Sequence, residues 1–320
     1  MKAVLYEKYG GPEVLELRDI EKPIPKDDEV LIQVRAVSLN DWDWQLLLGI
    51  PAGLRLETGL RKPKRQILGS DIAGHIEAVG KNVEKFKVGD EVFGDINGQW
   101  GGFAEYVCAR ENLIVSKPKS MTFEQAAAMP QAGMLAVQGL IDVGKIQQGQ
   151  EILINGAGGG VGTFAVQIAK LYGAEVTGVD STEKLDMMKS VGFDHVIDYT
   201  KEDFTKTGQQ YDLILDTKTS RSVFDHARAL YPGGTYVTVG GETWPILKTV
   251  VLGLLVSTIH KKGMRLAILK PNKDLPYMIE LFEAKKLKPV IDGHYRLNDV
   301  PNAFKYFGEG HHKGKVVITI

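Results

Sequence analysis

Cysteine is nearly missing from this chain. Cys108 stands alone among 320 residues, which excludes a disulfide framework and any zinc or iron–sulfur site built on several cysteines. Net charge is nearly missing too. The 39 Lys and Arg against 40 Asp and Glu leave −1, so no overall field draws the protein to nucleic acid or anionic lipid. Apolar runs of bilayer length are missing as well. The most apolar stretch, Trp244 to Ile259, carries Pro245 and Lys248 and reads as a buried or interfacial helix, with membrane contact as the lesser alternative and no stable insertion expected. The chain starts on a strand-like MKAVLY without the basic, apolar and small-residue regions of a signal peptide, and a cytoplasmic location is expected. No repeat or low-complexity tract interrupts it.

What is present is an ordinary globular composition, 43% apolar and 25% charged, at a length that accommodates two cores. Residues 1–120 carry short β-branched or alternating runs such as EVLIQVRAVSL, IAGHIEAVG and FAEYVCA, punctuated by Gly10-Gly11-Pro12, Gly89-Asp90 and Gly101-Gly102. That texture predicts an antiparallel, barrel-like domain. From residue 121 the pattern turns to alternating strands and helices through 269, the mark of a doubly wound parallel sheet. Its units are EILIN, a helix over Val161–Tyr172, EVTGVD, a helix from Ser181, HVIDY, DLILD, a helix over Arg221–Leu230, a Pro232-Gly233-Gly234 turn and TYVTVG. Residues 270–320 turn β-rich again and are expected to rejoin the first domain.

The stretch GQEILINGAGGGVGTFAVQIAK is the most specific signal. A strand runs into Ala157-x-Gly159-x-x-Gly162 and then a helix, the order a dinucleotide pyrophosphate requires. Backbone must approach the phosphates closely, and a helix N-terminus supplies free N–H groups. Gly159, Gly160, Val161 and Gly162 are the expected pyrophosphate contacts. Asp180 ends the following strand about 20 residues on, where an acid bonds the adenosine ribose. The lesser alternative for Asp180 is a helix N-terminal charge or cap near Ser181 and Thr182.

Together these motifs resemble the zinc-free quinone oxidoreductase and zeta-crystallin-like group of the medium-chain dehydrogenase/reductase superfamily. Supporting matches are Gly69-Ser70-Asp71-Ile72-Ala73-Gly74, Val88-Gly89-Asp90-Glu91-Val92, Gly102-Phe103-Ala104-Glu105-Tyr106-Val107 and Ala126-Ala127-Ala128-Met129-Pro130. The resemblance implies a GroES-like β-barrel domain joined to a Rossmann-type doubly wound sheet. Asn40 and Ser70-Asp71 stand where zinc-dependent relatives have Cys and His-Glu, so no zinc is expected. The adjacent His311-His312 reads as an exposed tail rather than a ligand pair.

The same resemblance implies that Lys184 meets a 2′-phosphate and Tyr199 an adenine, with Ser181 beside them. Lys184 also reads as a solvated helix face. Val239, Gly240 and Gly241 are implied near the nicotinamide, and Lys315 beside the cofactor. NADPH is expected, with NADH possible because Asp180 argues against a 2′-phosphate. Asn40 and Asp43 are the catalytic candidates, Asn40 alternatively being a turn or cap residue and Asp43 a structural carboxylate. Gln45 and Leu135 depart from the family's usual Tyr and Thr. Trp42, Trp44, Trp100, Met134 and Trp244 are candidate walls for a flat acceptor or packing residues, and residues 50–67 are a candidate mobile loop.

Without a strong Lewis acid, a small-molecule acceptor activated by conjugation is favoured. The expected activity is hydride transfer to quinones, enones or 2-alkenals. A zinc-independent alcohol or aldehyde oxidoreductase and a non-catalytic NADPH-binding protein are the alternatives. The strand-like run 264–269 is expected to pair with its copy in a homodimer.

Overall fold

The computed structural model describes the backbone of residues 1–320 and all side chains except those at positions 254, 259, 260 and 294. The chain divides into two compact units, residues 1–131 with 271–279 and 291–320, and residues 132–270 with 280–290.

In the first unit β1 (Lys2–Leu5) pairs antiparallel with β2 (Glu16–Asp19). The long strand β3 (Glu29–Ser38) is buried along most of its length because strands flank it on both sides. Helix α1 (Asp41–Leu48) and the short α2 (Arg55–Thr58) lead to β4 (Asp71–Val79), β5 (Glu91–Asp95), β6 (Tyr106–Arg110) and β7 (Val115–Ser116). Helix α3 (Phe123–Ala128) starts at a reciprocal cap, where Thr122 Oγ1 accepts from Gln125 N at 3.2 Å and Gln125 Oε1 from Thr122 N at 3.0 Å.

Helix α4 (Pro130–Val137) crosses from the first unit into the second, which continues through β8 (Glu151–Asn155), α5 (Gly160–Leu171), β9 (Glu175–Asp180), α6 (Leu185–Val191) and β10 (His195–Asp198). It continues through β11 (Tyr211–Asp216), α7 (Val223–Arg228), β12 (Leu230–Thr238), α8 (Thr243–His260) and β13 (Gly263–Leu266). All its strands pair in parallel in the order β10-β9-β8-β11-β12-β13, the doubly wound arrangement. Ile152, Leu153 and Ile154 of β8 and Leu213, Ile214 and Leu215 of β11 are buried. Such continuous apolar runs are what a parallel sheet covered on both faces demands.

After α9 (Leu275–Glu283), β14 (Ile291–Arg296), α10 (Val300–Gly308) and β15 (Lys315–Thr319) complete the first unit. Strand β15 inserts between β14 and β3 in the order β14-β15-β3-β4-β5-β7, and β6 also pairs with β3.

Several details differ from expectation. Residues 121–131 belong to the first unit, because α3 packs against β3, β4 and β15 with Ala126, Ala127 and Ala128 fully buried. Residues 280–290 join the second unit, so neither 120/121 nor 269/270 is a boundary. Pro232-Gly233-Gly234 is a bulge inside β12, where the pairing with β11 jumps from Leu230 to Thr235, and α7 ends before Leu230. The 50–67 segment makes contacts within the first unit. Tyr9 Oη donates to Gly59 O at 2.7 Å, and Arg55 donates to Gly49 O at 2.9 Å while lying over the Tyr9 ring. His312 is no exposed tail, since its buried ring stacks on Phe307 at 4.4 Å.

Candidate functional site

The glycine turn lies in the second unit between β8 and α5. Helix α5 begins after Gly159, whose extended backbone carries no side-chain cap, so the first-turn N–H groups are left for another acceptor. A Cβ on Gly162 would stand 2.4 Å from Ala157 O and 2.6 Å from Ala157 C. Only glycine allows the helix to start this close to the strand. The turn fits a dinucleotide pyrophosphate held by Gly159, Gly160, Val161 and Gly162.

The two residues with opposed cofactor preferences face each other. Asp180 Oδ2 accepts from Gly158 N at 2.8 Å and Oδ1 from Ser181 N at 2.9 Å, while Lys184 Nζ lies 3.5 Å from Oδ1. Both side chains are buried. Asp180 braces the glycine turn, and Lys184 is neither a solvated face nor free. Tyr199 follows β10 with its side chain half exposed and its N–H on Asp180 O at 3.1 Å.

Where the neighbouring strands β11 and β12 end, Val239 N donates to Asp216 O at 2.9 Å and Thr219 N to Gly240 O at 3.2 Å. Gly241 has φ +126°, and a Cβ there would lie 2.3 Å from Thr219 N, so this turn also requires glycine. Beneath it is a polar network that sequence reasoning missed. Buried Asp216 accepts from Asn155 Nδ2, Lys218 N and Tyr236 Oη, each at 2.8 Å. His226 stacks on Tyr236 at 4.1 Å with neither ring nitrogen hydrogen-bonded. Burial lowers its pKa and keeps the imidazole neutral. The acidic end of DLILD was the available signal.

The first unit holds a second cluster, also buried. Asn40 ends the approach from β3 and caps α1, its N–H donating to Asp43 Oδ2 at 2.9 Å. Asp43 Oδ1 accepts from Gly69 N at 2.8 Å. Both Asp43 oxygens therefore hold backbone, and burial outweighs those donors to push its carboxyl up to about 7. Lys315 from β15 donates through Nζ to Leu39 O at 3.0 Å and to Asn40 Oδ1, and lies 3.7 Å from Asp71 Oδ2. Asp71 also accepts from Gln131 N at 3.1 Å and Ser38 Oγ at 3.4 Å. Burial raises Asp71 and lowers Lys315, each held back by the other's charge. The Asn40 carboxamide also favours the Asp71 anion, yet Nδ2 completes no hydrogen bond. Lys315 thus lies against Asn40, a contact the sequence did not suggest.

The aromatic candidates disperse. Trp42 is partly exposed on α1, and Trp44 packs on the core and against Gly308. Trp100 lines an open groove of about 770 Å³ with Arg65, Tyr106, Cys108 and Arg110. In the second unit Met134 is fully buried and Trp244 is 71% exposed at the start of α8.

Comparison with known proteins gives this arrangement a family. Residues 26–119 match the alcohol dehydrogenase GroES-like domain, and residues 191–318 a zinc-binding dehydrogenase domain. The chain is 35% identical to 2-methylene-furan-3-one reductase of Solanum lycopersicum, over 99% of its own length and 79% of that protein. It is 34% identical to the chloroplastic NADPH-dependent alkenal/one oxidoreductase of Arabidopsis thaliana, with the same coverage. This chain belongs to the medium-chain dehydrogenase/reductase superfamily. Among solved structures, a quinone oxidoreductase from Coxiella burnetii superposes with a TM-score of 0.87 at 29% identity, covering 100% of this chain and 99% of that one.

The dehydrogenase description carries zinc, and the residues at the matching position do not fit it. An ammonium lies on Asn40 Oδ1 and beside Asp71, where a cation would be repelled. Among the described residues no group of three or more His, Cys, Asp or Glu is placed to hold a metal ion, and no helix is long and apolar enough to cross a membrane.

Proposed function

We propose that this oxidoreductase reduces quinones and α,β-unsaturated carbonyls with a nicotinamide dinucleotide and no metal, NADPH being slightly favoured over NADH. The observation that carries the reading is the buried Asn40 carboxamide, an amide donor without an acceptor. The relatives described above as alkenal/one and quinone oxidoreductases support the same substrate class.

Gly159, Gly160, Val161 and Gly162 would hold the dinucleotide, which would supply a hydride to the conjugated β-carbon of the acceptor, leaving charge on its carbonyl oxygen. Asn40 Nδ2 donates to that oxygen as charge collects on it, and a proton from water completes the α-carbon. Asp43 positions Asn40 by holding its backbone. Steady-state oxidation of NADPH should proceed with quinones and 2-alkenals and fail with plain aldehydes. Asn40→Ala should lower kcat by about 100-fold. Tight NADPH binding without turnover on any acceptor would sink the proposal. Lys184 supports use of NADPH and Asp180 use of NADH. A preference for NADH beyond about 1,000-fold in kcat/KM, the discrimination of a site built against a 2′-phosphate, would reverse the cofactor order.

A homodimer belongs to the same proposal. Strand β13 ends the sheet with one neighbour, β12. Leu266 and Ile268 are exposed there, and α8 exposes Trp244, Leu247, Val251 and Leu255. Pairing β13 with its copy would satisfy the edge. A monomeric mass at micromolar concentration in sedimentation would refute it.

A further inference from the structure

We infer that Lys315 is a positioning residue that turns the Asn40 carboxamide into a donor of fixed direction for the acceptor oxygen. The inference rests on the hydride-transfer reading above and goes beyond it by saying what orients the donor.

A carboxamide has an oxygen end that accepts and a nitrogen end that donates, and a half-turn about its last bond exchanges them. Left alone, Asn40 could meet a carbonyl oxygen with either end. A lysine ammonium donates only. Its contact with Asn40 therefore fixes Oδ1 toward Lys315 and leaves Nδ2 as the free end. The lysine is itself held, because Leu39 O accepts from Nζ at 3.0 Å and Asp71 Oδ2 lies 3.7 Å away. Leu39 O and Asn40 Oδ1 accept from two of the ammonium's three N–H groups, and Asp71 Oδ2 stands just beyond hydrogen-bond distance. Asp71 faces Nδ2 as well, and the Asn40 carboxamide helps hold its anion, but no hydrogen bond closes between them, whereas Gln131 N donates to Asp71 at 3.1 Å and Ser38 Oγ at 3.4 Å. Asn40, Asp71 and Lys315 are all at least nine-tenths buried, so water offers little alternative partner. A donor held this way loses no orientation when charge develops on the oxygen it faces, which is the condition for preorganised stabilisation.

The test uses Lys315→Met combined with Asp71→Asn, so that no unpaired charge is left in the interior. The chain should fold with an unfolding midpoint near wild type, and its NADPH affinity, measured alongside, separates any part Lys315 plays at the cofactor from its part at Asn40. Its kcat on a 2-alkenal should fall about 10- to 100-fold with KM little changed. Adding Asn40→Ala should cause little further loss, because Lys315 acts through Asn40. Independently of turnover, asparagine-selective ¹⁵N labelling reads the Asn40 side-chain amide, identified by its disappearance in Asn40→Ala. Its resonances should shift and broaden in the combined variant as the carboxamide begins to flip. Unchanged amide resonances, or losses that multiply with Asn40→Ala, would overturn the inference while leaving the donor role of Asn40 intact. If Asn40→Ala alone leaves kcat unchanged, the hydride-transfer reading of Asn40 fails, and this inference falls with it.

Discussion

Replacing Gly162 with alanine is expected to weaken cofactor binding by about 10- to 100-fold, the cost of losing a hydrogen bond to a charged phosphate at about 1.5–3 kcal/mol. The added methyl would stand 2.4 Å from Ala157 O and 2.6 Å from Ala157 Cα. Those atoms are backbone and cannot rotate away, so the start of α5 has to move off β8. The N–H groups of the first helical turn move with it. Overpacking should also lower stability by about 1–3 kcal/mol. Quenching of tryptophan fluorescence during titration with NADPH measures the first effect. Gly53→Ala is the control, because a Cβ there meets nothing within 4 Å. Affinity within a few-fold of wild type in Gly162→Ala would mean that the turn does not hold the pyrophosphate.

Asp71→Ala carries the largest expected loss of stability, about 3–5 kcal/mol, because it strands one member of a buried ion pair. Asp71 is fully buried and Lys315 only 4% exposed. The alanine variant also loses the acceptor of Gln131 N. Losing Asp71 removes the largest of the charges that hold the lysine's pKa up, so a folded value already lowered by burial falls further. The unfolded lysine then binds a proton more readily than the folded one, so stability should fall as pH falls below about 10.4, the unperturbed lysine value. Combining Lys315→Met with Asp71→Asn should recover most of the loss, since an apolar or neutral replacement of a buried pair is often close to neutral. Denaturant unfolding followed by fluorescence is well suited to this comparison, with Trp42, Trp44 and Trp100 all in the first unit. Equal midpoints for Asp71→Ala and wild type would show that the pair carries no net stabilisation.

The parts of this protein that were legible in its sequence are the parts made from neighbouring residues. The glycine turn is one continuous segment whose chemistry depends on what is absent from its side chains, so spacing alone locates it. The doubly wound order follows from apolar runs separated by helices. Orientation was not legible. Asp180 and Lys184 each have the residue type for a different cofactor, and nothing local indicates that they bind one another. Residue type also failed to separate Met134, fully buried, from Trp244, largely exposed. Pro232-Gly233-Gly234 has turn composition but lies within a strand, because the parallel neighbour β11 continues past it. The first-unit cluster was half legible. Asn40 could be singled out by resemblance, but its contact with Lys315 joins residues 275 positions apart.

That separation has a consequence for how the protein is made. Chains emerge from the ribosome N-terminal end first, at about 5–20 residues per second, so Asn40 is synthesised long before the lysine that orients it. Until β15 enters between β14 and β3, the sheet of the first unit is split, with β14 separated from β3. The glycine turn and its helix are already complete by then. A nascent chain can therefore hold a finished nucleotide turn while its acceptor cluster lacks the ammonium. Hydride-transfer competence is expected only once translation has passed Lys315.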